Sequence, residues 1–411
     1  MQLPALRAVD AFPMTHDEQE MYCLYDPSEM VTEQLILAPI ALFVAQCLDG
    51  QNTAEDIQQR FHSESNGMDL PEHAVEDVVK LLDEHGFLDT DTFRAIQEKV
   101  ETTFHESPSR PAYLAGKSYP EQPDECEEFV EEQFLREEGP GSLPDPSNGT
   151  GKGHLPGLIV PHIDLHRGGH SYAHGYTHLA SFEKPDVVLV FGVAHAAEPV
   201  PFILSRKDFE TPLGTMTTDQ EIVDKLTGAC VWDPFVFEMT HRTEHSIEFQ
   251  ALMLANQYGP DVKIVPILTS WFGEGQEEEM NWEPIHQFLE ACREVVQESG
   301  RKVMVMASVD LAHVGKRFGD PFDIDDEIID QVSKRDVEDL TFVETVNPTS
   351  FYMSVMKDGN ERNVCGVNAI YSALHVLEGS GVVGRPLHYD YAHDPAGGIV
   401  SFCSFALERI T

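Results

Sequence analysis

The sequence predicts an α/β protein, a large α/β core preceded by a small N-terminal winged-helix-like domain. Three observations carry this expectation. Four apolar runs rich in β-branched residues, "LIVP" at 158–161, "DVVLVFG" at 186–192, "VKIVPIL" at 262–268 and "KVMVMAS" at 302–308, are largely continuous rather than alternating. Such runs suit central strands buried on both faces. Helical stretches such as Pro284 to Glu298 separate some of them, the alternation expected of strands crossed by helices. At 411 residues and 41% hydrophobic content, the chain can build two domains with separate cores.

The N-terminal domain is read over 1–105. Thr32 to Gly50 is expected as one helix with Gly50 as its C-cap. Thr53 caps a second helix, with Asp56 three residues on and Ile57 and Phe61 facing inward. A third runs from about Glu72 to His85 and stops at Gly86. This order, a hydrophobic helix, "LDG", a T-x-x-x-I helix and a helix ending in G-F-L, resembles the PqqD-like peptide-recognition domains. The resemblance implies that a peptide adds as a strand to a sheet edge, so a peptide or a radical-SAM enzyme is the expected partner. A packing or oligomerisation domain is the plainer alternative.

Residues 106–153 change in composition. Pro and Gly are frequent, and "DECEEFVEEQFLREE" from Asp124 to Glu138 is mostly acidic. An acidic linker is expected, with one short amphipathic helix around Phe129, Val130, Phe134 and Leu135. The α/β domain then occupies 154–411.

Charge removes one class of function. Lys and Arg total 27 against 71 Asp and Glu, a formal net charge of -44, which repels a polyanion over most of the surface. Nucleic-acid binding is therefore not expected. Neither is membrane insertion, because no apolar run approaches about 18 residues and the start "MQLPALRAVDAF" lacks the pattern of a signal peptide. The seven cysteines have no short-spaced pair, and reduced thiols in the cytoplasm are expected.

The chemistry is sought where strands end, since ligands of open α/β sheets bind at the carboxyl ends. His162 follows "LIVP", His195 follows "VVLVFG" by three residues, and Asp310 and His313 follow "VMVMAS". Cys365 stands at the start of a helical stretch, where the helix dipole is expected to lower its pKa. A thiolate with two imidazoles suits iron, copper or zinc better than magnesium or calcium. "TEHSIEFQ" adds Glu244 and His245 ahead of a helix, with Ser246 as its expected N-cap. Histidines also recur every fourth position at 162, 166, 170, 174 and 178. Gly168-Gly169 is expected to break that comb, leaving His170, His174 and His178 on one helix face as partly exposed side chains rather than ligands.

Taken in order, "VPHIDLHRGG", "VVLVFGVAH", "TPLGTMTTD", "TEHSIEFQ", "VPIL", "ASVDLAHVG" and "VCGVNAI" resemble the Memo family, known in bacteria and archaea as AmmeMemoRadiSam system protein B. The resemblance spans 156–411. It implies a fold similar to class III extradiol dioxygenases, an extradiol-dioxygenase-like α/β core. It also implies a mononuclear site in which His162, His195 and Cys365 match the metal-binding positions, Asp310 and His313 the neighbouring pair, and Glu244 and His245 the "EHS" block. Fe(II) is the first expectation for the ion, with copper or zinc as alternatives. Two blocks depart from the family pattern. P-H-A-G reads Pro161-His162-Ile163-Asp164 here, and G-P-S-H reads Gly192-Val193-Ala194-His195.

Three functions follow as expectations. The first is a metal-dependent redox enzyme on an unknown small molecule, with His313 or His245 as acid/base and Asp310 orienting an imidazole. A thiolate in place of the dioxygenase carboxylate weighs against ring cleavage. The second is a non-catalytic metal- or peptide-binding partner of a radical-SAM system. The third, ranked last for want of a nucleophile elbow, makes Cys365 a catalytic nucleophile.

Overall fold

The computed structural model describes residues 1–16, 19–145, 149, 153–270, 272 and 282–410. The chain forms two compact units, Met1–Ser107 and Pro108–Thr411.

In the first unit, β1 (Asp10–His16), β2 (Gln19–Tyr25) and β3 (Leu35–Leu37) make an antiparallel sheet in the order β1-β2-β3. Helix α1 (Pro39–Gln46) is shorter than the helix expected from Thr32. Pro39 explains this, because a residue before proline is pushed into extended backbone; Ala38 sits at φ -68°, ψ 156°, and the preceding residues pair as β3. Helix α2 (Ala54–Glu64) starts with the expected Thr53–Asp56 capping box. Helix α3 (Ala74–Glu84) is followed by Gly86 at φ +75°, and α4 (Asp91–Glu106) completes the unit. Leu24, Leu37, Val44, Ile57, Leu82, Phe87 and Leu88 form its core.

The second unit begins with β4 (Ser109–Arg110) and α5 (Pro123–Leu135). Then come β5 (Gly157–Val160), α6 (Leu165–Ala180), β6 (Val187–Val193), β7 (Phe202–Leu204), β8 (Asp208–Thr211) and β9 (Gly214–Met216). Next are α7 (Gln220–Ala229), α8 (His245–Tyr258), β10 (Lys263–Thr269), α9 (Glu283–Glu298), β11 (Val303–Ser308) and β12 (His313–Val314). The unit closes with α10 (Asp326–Glu344), α11 (Pro348–Met356), α12 (Val367–Leu377), β13 (Val382–Asp394) and β14 (Gly398–Arg409).

The main sheet has the order β12-β14-β5-β11-β6-β10-β7, with β13 paired to β14. Neighbours β5, β11, β6 and β10 are parallel, while β7 and β14 run antiparallel at their flanks. The continuous apolar runs are these central strands. Val187, Leu189 and Phe191 of β6 enter one core with α7, α9, α11 and α12, and Val188 and Val190 enter the other with α5, α6 and α8. The α/β class expected from the sequence is the class the chain adopts.

Residues 108–145 depart from the linker expectation. Arg110 is fully buried, and Cys126, Val130 and Phe134 of α5 lie in the core beneath α6. The amphipathic helix expected around Phe129, Val130, Phe134 and Leu135 does form, as α5, but its apolar stripe is packed into the core while Leu135 stays exposed. Residues 146–148 and 150–152 of the expected linker lie outside the described residues.

The expected break at Gly168-Gly169 is also overturned, since α6 runs unbroken through both. A Cβ on Gly168 would stand 2.2 Å from Ile163, and one on Gly169 2.3 Å from Gln133. Close packing against these neighbours overrides the weak helix propensity of glycine.

Candidate metal centre

Three adjacent parallel strands deliver residues to one rim. His162 lies two residues past β5, His195 two past β6 and Asp310 two past β11. Each position is set by local packing. Gly192 in β6 leaves room for α8, because a Cβ there would stand 2.6 Å from Ser246 Oγ. That hydroxyl donates to Val193 O at 3.0 Å and accepts from Val193 N at 3.0 Å. Gly366 lets α12 approach the β11 end, since its Cβ would meet Val309 at 2.5 Å and Asp310 O at 2.8 Å. Cys365 is thereby carried to the rim.

His162 is 1% exposed. Its Nδ1 lies 3.0 Å from Ser308 O, and a carbonyl can only accept, so Nδ1 carries the proton and the Nε2 lone pair is free. Nε2 lies 3.3 Å from Cys365 Sγ. Burial holds the His162 pKa well below the ordinary histidine value, keeping the ring neutral. One ligating atom each from His162, His195 and Cys365 lie within 4.8 Å of one another.

The supporting residues surround this triad. Glu244 accepts from His195 N at 3.0 Å and from His195 Nδ1 at 3.1 Å, so its carboxylate fixes that ring. Burial opposes ionisation of Glu244, but the His195 and His245 rings hold its pKa well below the usual range. His195 moves the other way: burial lowers its pKa, yet Glu244 and the Cys365 thiol raise it to about 11. Asp310 accepts from His162 N and Ile163 N at 3.0 and 3.1 Å, and burial pushes its pKa up to about 7.

His245 stacks on His195 with centroids 4.6 Å apart and meets His162 edge-on at 5.0 Å. Burial lowers its pKa to about 4. His313 lines the same cleft, with Nδ1 donating to Leu311 O at 3.1 Å and a pKa lowered by burial to about 4.

Two local expectations are corrected. Glu244, not Ser246, is the N-cap of α8, accepting from Ser246 N at 3.0 Å, while the Ser246 hydroxyl is spent on β6. The Cys365 pKa is raised rather than lowered, because burial outweighs the His195 ring and the Asp310 carbonyl contact.

Sequence reading missed Arg110. Its guanidinium is buried against the Glu248 carboxylate and donates to His241 O at 2.7 Å and Glu244 O at 2.8 Å. Glu248 also accepts from Tyr119 OH and from Leu114 N at 2.8 Å. The first turn of α8, carrying Glu244 and His245, is thus clamped by the segment expected to be a linker. Arg167 and Arg317 were missed as well. They line the cleft of about 460 Å³ with Asp164, His195, His245 and Asp394. Asp164 accepts from Arg167 N at 3.2 Å and pairs with its guanidinium at 2.5 Å, an i, i+3 spacing that was readable in the sequence.

Comparison with known families decides the kinship. The family model described as Memo-like protein matches residues 110–407. The chain belongs to the Memo family. A MEMO1 family protein of Aquifex aeolicus is 28% identical over 375 residues, covering 90% of this chain and 92% of its own length. Memo-family relatives of Methanopyrus kandleri and Thermus thermophilus are 27% and 26% identical, covering 72% and 79% of this chain and 98% and 90% of their own lengths. The solved structure of an uncharacterized protein from Escherichia coli K12 covers 61% of this chain at 12% identity, with a TM-score of 0.37. The family match begins at Arg110, so the buried arginine that clamps α8 falls inside the Memo region.

Among the described residues, no helix is long and apolar enough to cross a membrane.

Proposed function

We propose that the chain holds a transition-metal ion on His162, His195 and Cys365 and performs oxidoreductase-like chemistry on a small molecule bound in the cleft. The observation that carries this reading is the approach of one donor atom from each of these residues to within 4.8 Å of the others. The donor set fits such an ion. The ring Nδ1 of both histidines is engaged, by Ser308 O and by Glu244, so the opposite nitrogens are the ligating ones, that of His195 once an ion displaces its proton. Two imidazoles and a thiolate suit iron, copper or zinc rather than magnesium or calcium, and iron is taken first because the family resemblance implies it.

When bound, iron or copper supplies open coordination positions and one-electron chemistry. The surrounding side chains do the rest. Asp310, with a pKa of about 7, can hold or release a proton beneath the His162 ring. His245 and His313, both neutral at ordinary pH, can accept one from a molecule in the cleft. The wall mixes Arg167 and Arg317 with Asp164 and Asp394, a lining that favours a polar substrate.

Metal analysis of protein purified without oxygen tests the reading, beside Cys365→Ser and His195→Ala. Each variant is expected to hold one equivalent of metal fewer than the wild type, and a stoichiometry unchanged from the wild type in both ends the proposal. Turnover of a catechol by iron-loaded protein in air would add ring cleavage; its absence in the presence of bound iron removes that version.

One observation favours a partner-binding role for the first unit beside this chemistry. Among the described residues, β1 pairs only with β2, so one edge of the three-stranded sheet is open to an extended peptide. A pull-down comparing the full chain with one lacking 1–105 reads it. Equal recovery of peptide or radical-SAM partners by both would end that role.

A further inference from the structure

The histidine comb continues beyond the cleft. His170, His174 and His178 ascend one face of α6, which packs against β13 and β14. His170 is 4% exposed, and its Nε2 lies 3.0 Å from Asp390 Oδ2. His174 stacks on His388 with centroids 4.6 Å apart and planes 8° from parallel, and His170 meets His388 edge-on at 5.0 Å. The Nδ1 atoms of His170 and of His388 are buried without a hydrogen-bond partner. Buried polar atoms are seldom left so, and two orphaned imidazole nitrogens in one cluster point to a missing ligand.

The backbone is arranged to gather these groups. Along β13 and β14, Pro386 pairs with Phe405 but His388 pairs with Ser404, so Leu387 is an extra residue in the ladder. Bulges of this kind re-aim side chains and gather near functional sites. Beyond it, His388 and Asp390 fall on the same strand face as their partners Ser404 and Phe402. That is the α6 side: Ser404 Oγ donates to Ser171 O at 2.6 Å, and the Phe402 ring lies 5.7 Å from His170.

We infer that His170, His388 and Asp390 form a second binding site, for a divalent transition ion of the zinc class, separate from the centre in the cleft. One nitrogen from each ring and one Asp390 oxygen lie within 4.8 Å of one another. Zinc held at about 2.0–2.2 Å by nitrogen and carboxylate oxygen wants its donors closer together than this upper bound, an approach small side-chain rotations supply. Two imidazoles and a carboxylate are three protein ligands, which leaves a fourth position for water. The Asp390 side chain is 38% exposed, giving an ion a way in. The site shares no ligand with the His162, His195 and Cys365 triad.

Cobalt reports on the two sites separately, because only a site with cysteine gives a near-ultraviolet thiolate band. The test uses the whole chain carrying His195→Ala and Cys365→Ser, in which the His162, His195 and Cys365 triad is dismantled. Titration with Co²⁺ is expected to bind one equivalent with visible absorption and no thiolate band, and Zn²⁺ displaces it. Adding His388→Asn or Asp390→Asn is expected to weaken that binding at least tenfold, with circular dichroism reporting that each variant is folded. Two results overturn the inference: no cobalt bound by the double variant, or unchanged cobalt binding in a folded protein carrying either further substitution. Failure of the cleft reading looks different, as a wild-type protein lacking the thiolate band while the flank site still fills.

Discussion

The cleft cluster and the α6 flank cluster of histidines differ in what holds the rings. In the cleft, His162 and His195 each donate from Nδ1 to an acceptor carried by another element, Ser308 O at the β11 end and Glu244 at the α8 start. Along α6, the Nδ1 atoms of His170 and His388 have no such acceptor. The difference follows from topology. Parallel strand ends converge with helix N-termini, so backbone carbonyls and capping carboxylates are at hand to preset an imidazole. Rings contact one another in both clusters, but a helix face against a two-stranded margin offers fewer such groups, and there the Nδ1 atoms of His170 and His388 go without one.

The largest expected effect comes from breaking the scaffold of the preset cluster. Arg110→Met leaves the Glu248 carboxylate buried without its cation, and both side chains are fully buried. Removing one partner of a buried pair costs about 3–5 kcal/mol. Chemical denaturation should show a loss of that size. The cleft should then lose metal at lower denaturant than the α6 flank, because the start of α8 is released and β13 is not.

Acid acts on the same scaffold. His241, whose carbonyl anchors Arg110, is buried with its pKa lowered to about 4, chiefly by burial. Unfolded, it would titrate near about 6.5. Above that pH both states are neutral and the ring contributes no pH dependence. As pH falls from about 6.5 toward 4, the unfolded chain takes up a proton that the folded chain does not, so stability drops by up to about 3 kcal/mol. Unfolding curves at pH 7 and near about pH 4.5 should differ less in His241→Gln than in the wild type. Equal differences would mean that the ring does not carry the acid sensitivity.

The contrast between the clusters also marks what sequence could reveal. His162, His195 and Asp310 were legible because a strand buried on both faces is a plain apolar run, and whatever follows it stands at the rim. Cys365 was legible as the residue before a helical period. Arg110 was not, since its partner Glu248 is 138 positions away and its own segment has the composition of a linker. Gly168 and Gly169 misled for a related reason: propensity counts what a glycine lacks, while Ile163 and Gln133 use the space it leaves. The flank cluster required the β13 register, and a one-residue bulge at Leu387 decides which side chains face α6.

Presetting can be removed without touching a ligand. Glu244→Gln keeps the shape of the side chain but weakens its hold on His195 Nδ1, and losses of about 10–100-fold in metal affinity are typical of such changes. Competition with a chelator should place the cleft in that range while leaving the flank unchanged. An equal loss at both sites would mean that Glu244 acts through global stability, and the distinction drawn between the clusters would fall.

The smallest effect is expected where the two clusters share an element. Helix α6 starts beside His162 and carries His170, and its N-cap is Asp164, whose side chain accepts from Arg167 N. Asp164→Ala removes that acceptor, which costs about 1 kcal/mol in a typical helix. Arg167 also loses its 2.5 Å carboxylate partner but keeps Asp394 at 3.4 Å, so the cleft wall is not stripped of its cation. Because neither cluster takes a ligand from Asp164, metal stoichiometry at both should survive a drop in melting temperature of a few degrees. Loss of the cleft ion alone would mean that the start of α6 presets His162 as firmly as Ser308 does, and the asymmetry would then reach into the helix that joins them.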